Sequence, residues 1–186
     1  MNPIKNKKDL ETTIDDIRNF AYLYLEKYSS SKQQLRTYLF KKLIKKKQKI
    51  SSKKEIFNLI DTVIFSLVDQ KFLSDEYYSD AKSKAFLRRG YSLNKIRYSL
   101  IKKGIDEKYI KASISKIKEN ESEPDFFSAI KICKKRRIGP NREESNRSLF
   151  YKKDISILAR SGFSYEISKK VLEIPKEEYK KFCKMI

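Results

Sequence analysis

Apolar residues recur at helical spacing along almost the whole chain. The pattern is clearest in one stretch whose apolar side chains follow three- and four-residue steps: Ile56, Leu59, Ile60, Val63, Ile64 and Leu67. Such steps place the side chains on one buried stripe of a helix. Strand-like alternation is nearly absent, and the four glycines and four prolines leave few sites for tight turns. The sequence therefore predicts an all-α protein and argues against a many-stranded sandwich or barrel.

The stripes and the residues that flank them predict individual helices. We expect helices at 14–28, 31–47, 53–70, 75–89, 92–103, 106–119, 124–137, 147–161, 164–173 and 176–185. Ser52 and Glu55 have the spacing of a capping box, in which each side chain satisfies an exposed backbone N–H. Gly90, Gly104 and Gly162 each follow a helix, so we expect them to end it in the left-handed conformation.

Three segments resemble one another at intervals of about 60 residues, a spacing typical of repeat proteins. Residues 39–44 match 100–105, which in turn match 158–163. Each unit then holds about three helices, which bury little alone, so stacking on neighbours completes the core. The predicted organisation is three tandem three-helix repeats in an elongated molecule that could be curved. The repeats are predicted at 14–70, 71–120 and 121–175. A polar segment at 1–13 precedes them, and a C-terminal helix or tail at 176–186 follows. Chance similarity among Lys-rich amphipathic helices is the alternative.

The charge of the chain indicates a polyanionic partner. The net charge is +20 and the pI is about 9.8, which suits nucleic acid, an anionic membrane surface or an acidic protein. An AT-rich genome would also enrich lysine without selection for binding. However, residues 27–54 contain no acid at all, and a second basic cluster lies at 131–137. Because codon bias does not remove acids, we favour polyanion contact over a merely solvated basic face.

Several classes of function are disfavoured by what the sequence lacks. Without histidine, every His-based catalytic or metal site is excluded. Cys133 and Cys183 are too few for a structural zinc site and are expected to be free thiols. No apolar run approaches the roughly 20 residues that span a bilayer, and the polar stretch from Met1 to Glu11 does not resemble a secretory signal. We expect a cytoplasmic protein that does not use a membrane.

A helical nuclease would need clustered acids to hold a metal ion. One candidate group is Asp75 and Glu76 with Asp80, and the other is Glu143 with Glu144. The first two acids stand where the helix dipole favours negative charge, and the last two fall in a predicted loop at 138–145. We therefore expect no enzymatic activity, no cofactor and no metal.

Local strings in this register resemble the RecX family of recombination regulators. The matching strings are Asp75 with Tyr78, the basic segment 82–89, Gly90-Tyr91-Ser92, the string 103–105, and the C-terminal strings 136–140 and 158–167 followed by Val171-Leu172. The resemblance covers roughly residues 15 to 175. Ser79 stands where the family usually has alanine, Lys84 where it usually has arginine, and the Lys-rich join at 45–54 is longer than usual.

The resemblance implies a helical-repeat regulator in homologous recombination, DNA repair and the SOS response. Such a protein would bind the RecA recombinase filament as a monomer, contacting the protein and single-stranded or double-stranded DNA, and would inhibit recombination and ATP hydrolysis. The basic residues expected to contact the partner are Arg36, Lys41, Lys42, Arg88, Arg89, Arg97, Lys102, Lys103, Arg136, Arg137 and Arg160. A sequence-independent nucleic-acid-binding protein that acts on DNA directly is the alternative function.

Overall fold

The structure is a computed structural model that describes residues 13–45 and 52–186. Its regular elements are ten α-helices and one short 3-10 helix, and the described residues contain no β-strand, so the predicted all-α fold is confirmed. The helices are α1 (Ile14–Leu25), α2 (Lys32–Lys45), α3 (Lys53–Asp69), α4 (Asp75–Arg88), α5 (Leu93–Ile101), α6 (Glu107–Asn120), α7 (Pro124–Arg136), α8 (Glu144–Arg160), α9 (Tyr165–Leu172) and α10 (Lys176–Lys184). The predicted segment 1–13, except its last residue, and the centre of the Lys-rich join at 45–54 lie outside the described residues.

The structure differs from the predicted helices at the end of α1, which stops three residues before the predicted end, and at the loop 138–145. Helix α8 already begins at Glu144, and the 3-10 helix Gly139–Asn141 occupies the start of the loop. Pro140 suits this short helix because its missing N–H is not needed in a first turn. The connection between α7 and α8 is therefore shorter and more ordered than its polar sequence predicts.

The predicted cap and glycine turns are confirmed. The Ser52 hydroxyl accepts from the N–H of Glu55 at 3.2 Å, and the Ser52 N–H donates to the Glu55 carboxylate at 3.1 Å. Gly90, Gly104 and Gly162 have φ angles of 81°, 73° and 89°, a region that costs residues with a Cβ energy. These glycines end α4, α5 and α8 and allow the next helix to start at once.

The chain divides into two compact units between Tyr78 and Ser79. The first unit has its core between α1, α2 and α3, made of Ile17, Ala21, Leu35, Leu39, Leu43, Ile56, Ile60, Val63, Ile64, Leu67 and Leu73. Tyr78, at the end of this unit, is also buried, and its hydroxyl donates to the Gln34 side chain at 2.7 Å. The predicted stripe on α3 is thus the face that packs against α1 and α2.

The second unit extends from Ser79 to Ile186. Its main core lies between α7, α8, α9 and α10 and includes Phe126, Ala129, Ile130, Cys133, Leu158, Val171 and Tyr179. Leu100 and Leu158, equivalent in the predicted repeats, are both fully buried, and each carbonyl accepts from the N–H five residues later at 3.2 Å. This shared turn agrees with the repeat register, while the division into three repeats stays a prediction.

Two further observations concern the cysteines and the hydropathy of the helices. Cys133 and Cys183 are both free thiols, as the sequence predicts. Within the residues that the structure describes, no helix combines the length and the apolar character that crossing a bilayer requires.

Candidate functional site

The turn that ends α4 brings two predicted arginines to the side of α7. Arg88 and Arg89 are exposed, and Gly90 follows them directly. A Cβ added to Gly90 would lie 3.1 Å from the Cβ of Lys131 and 3.2 Å from the carbonyl oxygen of Ser128. The turn therefore packs tightly on α7 beside Lys131, and the two exposed arginines directly precede this contact in the chain.

Helix α7 continues this positive surface to its own end. Lys135 lies one helical turn after Lys131 and so shares its face, and the exposed Arg136 and Arg137 follow. Arg137 has a φ of 53° and ends the helix by donating its N–H to the carbonyl of Cys133. We define the α4–α7 basic cluster as Arg88, Arg89, Lys131, Lys135, Arg136 and Arg137.

Helix dipoles account for part of this arrangement. A cation near a helix C-terminus typically gains about 0.3–1 kcal/mol, and α4 and α7 both carry basic residues in their last turns. The dipole explains why each helix end is basic. It does not explain why the end of α4 lies against the middle of α7, since the fit of Gly90 against Ser128 and Lys131 does that. The result is that basic residues of two helices are concentrated along α7 and in the turn packed against it.

A second glycine turn places Arg160 beside α5. A Cβ added to Gly162 would lie 2.5 Å from the Ser92 hydroxyl and 3.3 Å from the Cβ of Lys95. The Ser92 hydroxyl also donates to the carbonyl of Ser161 at 3.0 Å. Arg160 is exposed, and its Nε donates to the carbonyl of Ser156 at 3.2 Å. The predicted residue Arg160 is thus at the surface.

Other predicted residues are already engaged within the protein. Arg36 forms a two-point ion pair with Asp61, at 2.6 Å from Nε and 2.7 Å from Nη2, and lies 4.4 Å from the centroid of the Phe57 ring. The hydrogen bond to Asp61 raises the pKa of the Arg36 guanidinium. Arg97 pairs with Glu107 at 2.9 Å. These two arginines pair with carboxylates of their own units, which leaves less of their charge for a partner.

The four predicted lysines occupy different settings. Lys41 is exposed on α2, and Lys42 lies 5.6 Å from the centroid of the Phe20 ring. The ammonium of Lys102 lies 4.5 Å from the centroid of the Tyr98 ring, and Lys103 is half-buried at the end of the same turn. Rings beneath two of these ammonium groups hold their side chains on the surface but do not cancel their charge.

Two of the acids that a nuclease would need, Asp75 and Asp80, have structural partners instead. The carboxylate of Asp80 accepts from the Ser113 hydroxyl at 2.6 Å and from the Lys116 ammonium at 2.5 Å. Burial pushes the pKa of Asp80 up, but the hydrogen bonds from Lys116 and Ser113 outweigh it and hold the pKa below its ordinary value. Asp75, in the first unit, accepts from the backbone N–H of Lys32 at 2.9 Å. No group of three or more potential metal ligands occurs among the residues described.

Sequence reasoning noted Ser79 as unusual but missed its role. The side chain is fully buried, its hydroxyl lies 2.8 Å from that of Ser113, and it donates to the carbonyl of Tyr109 at 3.3 Å. Together with Asp80, these groups join α4 to α6. Ser113 recurs in the apolar register of α6, between the buried Ile110 and Ile117, and a serine in such a position is the signal that could have indicated a buried polar contact.

The chain is similar to several known proteins, although no protein-family model matches it. The regulatory protein RecX of Myxococcus xanthus (strain DK1622) is 29% identical over 160 residues, which cover 84% of this chain and 84% of that protein. The regulatory protein RecX of Agrobacterium fabrum (strain C58 / ATCC 33970) is 26% identical over 161 residues, which cover 87% and 84%.

Solved structures show the same fold. The crystal structure of RecX from Lactobacillus salivarius superposes with a TM-score of 0.62 at 18% identity, over 86% of this chain and 94% of that chain. A second crystal structure of a regulatory protein RecX gives a TM-score of 0.59 at 21% identity, over 87% and 74%. At these identities the likeness establishes the fold alone.

Proposed function

Because the chain belongs to the RecX family of regulatory proteins, we propose that it regulates recombination by binding the RecA recombinase filament. It inhibits the recombination and ATP hydrolysis of that filament by occupying a surface, without catalysis and without a cofactor. It acts as a monomer in the cytoplasm. In the predicted repeat register, the α4–α7 basic cluster joins the second repeat to the third, so the cluster would face a partner that runs along the repeats.

The α4–α7 basic cluster is the observation that carries this proposal. None of its four arginines has a carboxylate within ion-pair distance among the residues that the structure describes. Arginine can hold a carboxylate or a phosphate with two parallel hydrogen bonds. A filament of protein on DNA offers both kinds of anion. An exposed group of unpaired arginines therefore fits this partner better than Arg36 or Arg97, whose charges are already matched.

The test measures ATP hydrolysis by a bacterial RecA filament on single-stranded DNA during titration with the protein. The test variant carries Arg88→Glu, Arg89→Glu, Arg136→Glu and Arg137→Glu. The matched control carries the same change of charge on four exposed lysines of other helices, through Lys111→Glu, Lys152→Glu, Lys169→Glu and Lys181→Glu. Circular dichroism confirms that both variants keep their helical content.

We expect the parent and the control to inhibit at substoichiometric concentration, and the cluster variant to lose inhibition. Equal inhibition by all three proteins would remove the α4–α7 basic cluster from the mechanism. Equal loss in both variants would show that net charge alone matters. Inhibition by the parent only at concentrations that saturate the DNA would indicate simple competition for the strand, which is the alternative function.

A further inference from the structure

Three tyrosines of the first unit pack together where α1 ends, with Tyr38 stacked on Tyr24 and Tyr28 tilted against Tyr24, and we call this group the stack. The ring centroids of Tyr24 and Tyr38 are 4.1 Å apart with planes inclined by 21°, and those of Tyr24 and Tyr28 are 5.1 Å apart with planes inclined by 42°. Tyr28 stands one helical turn after Tyr24, and its N–H donates to the Tyr24 carbonyl at 2.9 Å. The backbone at the end of α1 therefore holds the residue that carries the outermost ring.

The open end of this stack faces a shallow surface cavity. Tyr28 and the neighbouring Leu23 are each 58% exposed. Together with Tyr24, Tyr38 and Lys27 they line a cavity of about 580 Å³. By contrast, Tyr78, a buried core residue of the same unit, is only 2% exposed. Tyr28 thus keeps aromatic surface in water, while Tyr24 and Tyr38 also pack against the core of the unit.

The charge around the cavity is positive. Its described lining residues include the ammonium of Lys27 and no carboxylate. On α2, Lys41, Lys42 and Lys45 stand three, four and seven residues after Tyr38, so they lie on the same side of the helix as its ring. Glu26 is the nearest acid along the chain, and the stretch from Lys27 to the end of α2 contains none. A strip of cations therefore leads away from the stacked rings.

Exposed aromatic rings beside a basic strip have the chemistry that binds single-stranded nucleic acid. A flat base can extend the stack over Tyr28, while the phosphates that follow it meet the lysines. An acidic peptide would use the lysines but leaves the flat rings without a planar partner. We propose that Tyr24, Tyr28 and Tyr38, with Lys27, form a base-stacking site for single-stranded nucleic acid. This site does not depend on the recombinase, so it goes beyond the function proposed above.

The first experiment uses tryptophan as a reporter, because the chain contains none. The variant Tyr28→Trp is titrated with an oligothymidine in the absence of recombinase, and its fluorescence is recorded. The matched control is Tyr98→Trp, since Tyr98 is also 58% exposed and lies beside a lysine in the second unit. We expect saturable quenching at position 28 and little change at position 98. No quenching at position 28, or equal quenching at both positions, overturns the proposal.

The second experiment separates stacking from charge. Tyr28→Ala should weaken binding of the oligothymidine by about fivefold or more, whereas Tyr28→Phe should keep the parent affinity. An abasic oligonucleotide of the same length should bind the parent and Tyr28→Ala equally, because it carries phosphates but no bases. Equal loss on both strands would overturn the proposal, as would unchanged binding by Tyr28→Ala.

Two further ligands define the class that the site accepts. Oligouridine distinguishes RNA from DNA, and binding of either strand that depends on Tyr28 supports a base-stacking site. Polyglutamate represents an acidic protein segment. If its binding depends on Tyr28 as strongly as that of the oligothymidine does, the stack serves a protein and the proposal is wrong. Because no recombinase is present, these results stand apart from the outcome of the ATP hydrolysis test.

Discussion

Arg142 and Asp154 form a two-point ion pair, with the Nε of Arg142 at 2.7 Å from Oδ2 and its Nη2 at 2.9 Å from Oδ1. Asp154 is almost fully buried and also accepts from the N–H of Gly139 at 2.8 Å. The guanidinium lies 4.5 Å from the centroid of the Phe150 ring. One carboxylate in the middle of α8 thus fixes the connection that precedes this helix, which explains why the predicted loop is ordered.

We predict that Arg142→Ala lowers the free energy of unfolding by about 3 kcal/mol, because it leaves the buried charge of Asp154 without its partner. Urea denaturation followed by circular dichroism measures the change. The control Arg136→Ala removes an exposed arginine of α7 and should change the free energy by about 0.5 kcal/mol or less. Equal stability of the two variants would show that Asp154 does not need Arg142 in the folded protein.

The two equivalent glycines Gly104 and Gly162 should respond differently to alanine. Both have left-handed φ angles, 73° and 89°, so each substitution should cost about 1–2 kcal/mol in backbone strain. Gly104 is exposed, whereas a Cβ at Gly162 would lie 2.5 Å from the Ser92 hydroxyl. We therefore expect Gly162→Ala to lower the thermal midpoint of unfolding more than Gly104→Ala. The reverse order would contradict the close packing of this turn on α5.

Much of the fold was predictable because it depends on local rules. The stripe on α3 and the box of Ser52 and Glu55 each involve residues within a few turns of one another. The start of α8 was not predictable in this way. Glu144 lies in a run of polar residues that is typical of a loop, and Asp154 looks like an ordinary solvent-facing charge until its contact with Arg142 is known.

The candidate site was predictable as a set of charges but not as a surface. Arg36 and Arg89 have the same predicted role as exposed partner-binding cations, yet Arg36 pairs with Asp61, 25 residues away on another helix. Periodicity within one helix cannot reveal a pairing between two. Likewise, the basic ends of α4 and α7 were expected, but the packing of the α4 end against α7 depends on the fit of Gly90 against Lys131. Tertiary packing, rather than charge content, decides which cations remain unpaired.

The lowered pKa of Asp80 has a consequence for acid stability. A carboxyl whose pKa is lower in the folded state than in the unfolded state stabilises the folded protein. For Asp80 this contribution is fully present above the ordinary carboxyl pKa of 3.8. It is lost as the pH falls through the lower pKa of the folded state. We expect Lys116→Met to raise the pKa of Asp80, since it removes the strongest of the groups that lower it. Because the Lys116 and Asp80 side chains are 47% and 24% exposed, the loss of stability at neutral pH should stay below about 1 kcal/mol.

Carboxyl NMR titration of Asp80 in the parent and in Lys116→Met checks this prediction. The control is Lys118→Met, which removes an exposed ammonium from the same helix without breaking the hydrogen bond to Asp80. An Asp80 pKa that moves as far in Lys118→Met as in Lys116→Met would assign the effect to general positive charge. An unchanged pKa in both variants would show that the Ser113 hydroxyl alone outweighs burial.

The two thiols should differ sharply in reactivity. Burial raises the pKa of Cys133 to about 12, with further contributions from the nearby Asp154 and Cys183, whereas the side chain of Cys183 is only half-buried. At pH 8 a thiol with a pKa near 12 is thiolate in only about one molecule in 10,000, and the thiolate is the form that reacts. In the folded protein, a disulfide reagent such as dithionitrobenzoate should therefore modify one thiol per chain quickly, and the second only after unfolding in guanidinium. Cys183→Ser should remove the fast reaction, whereas Cys133→Ser should leave it unchanged. A fast reaction that survives Cys183→Ser would show that the core around Cys133 opens readily.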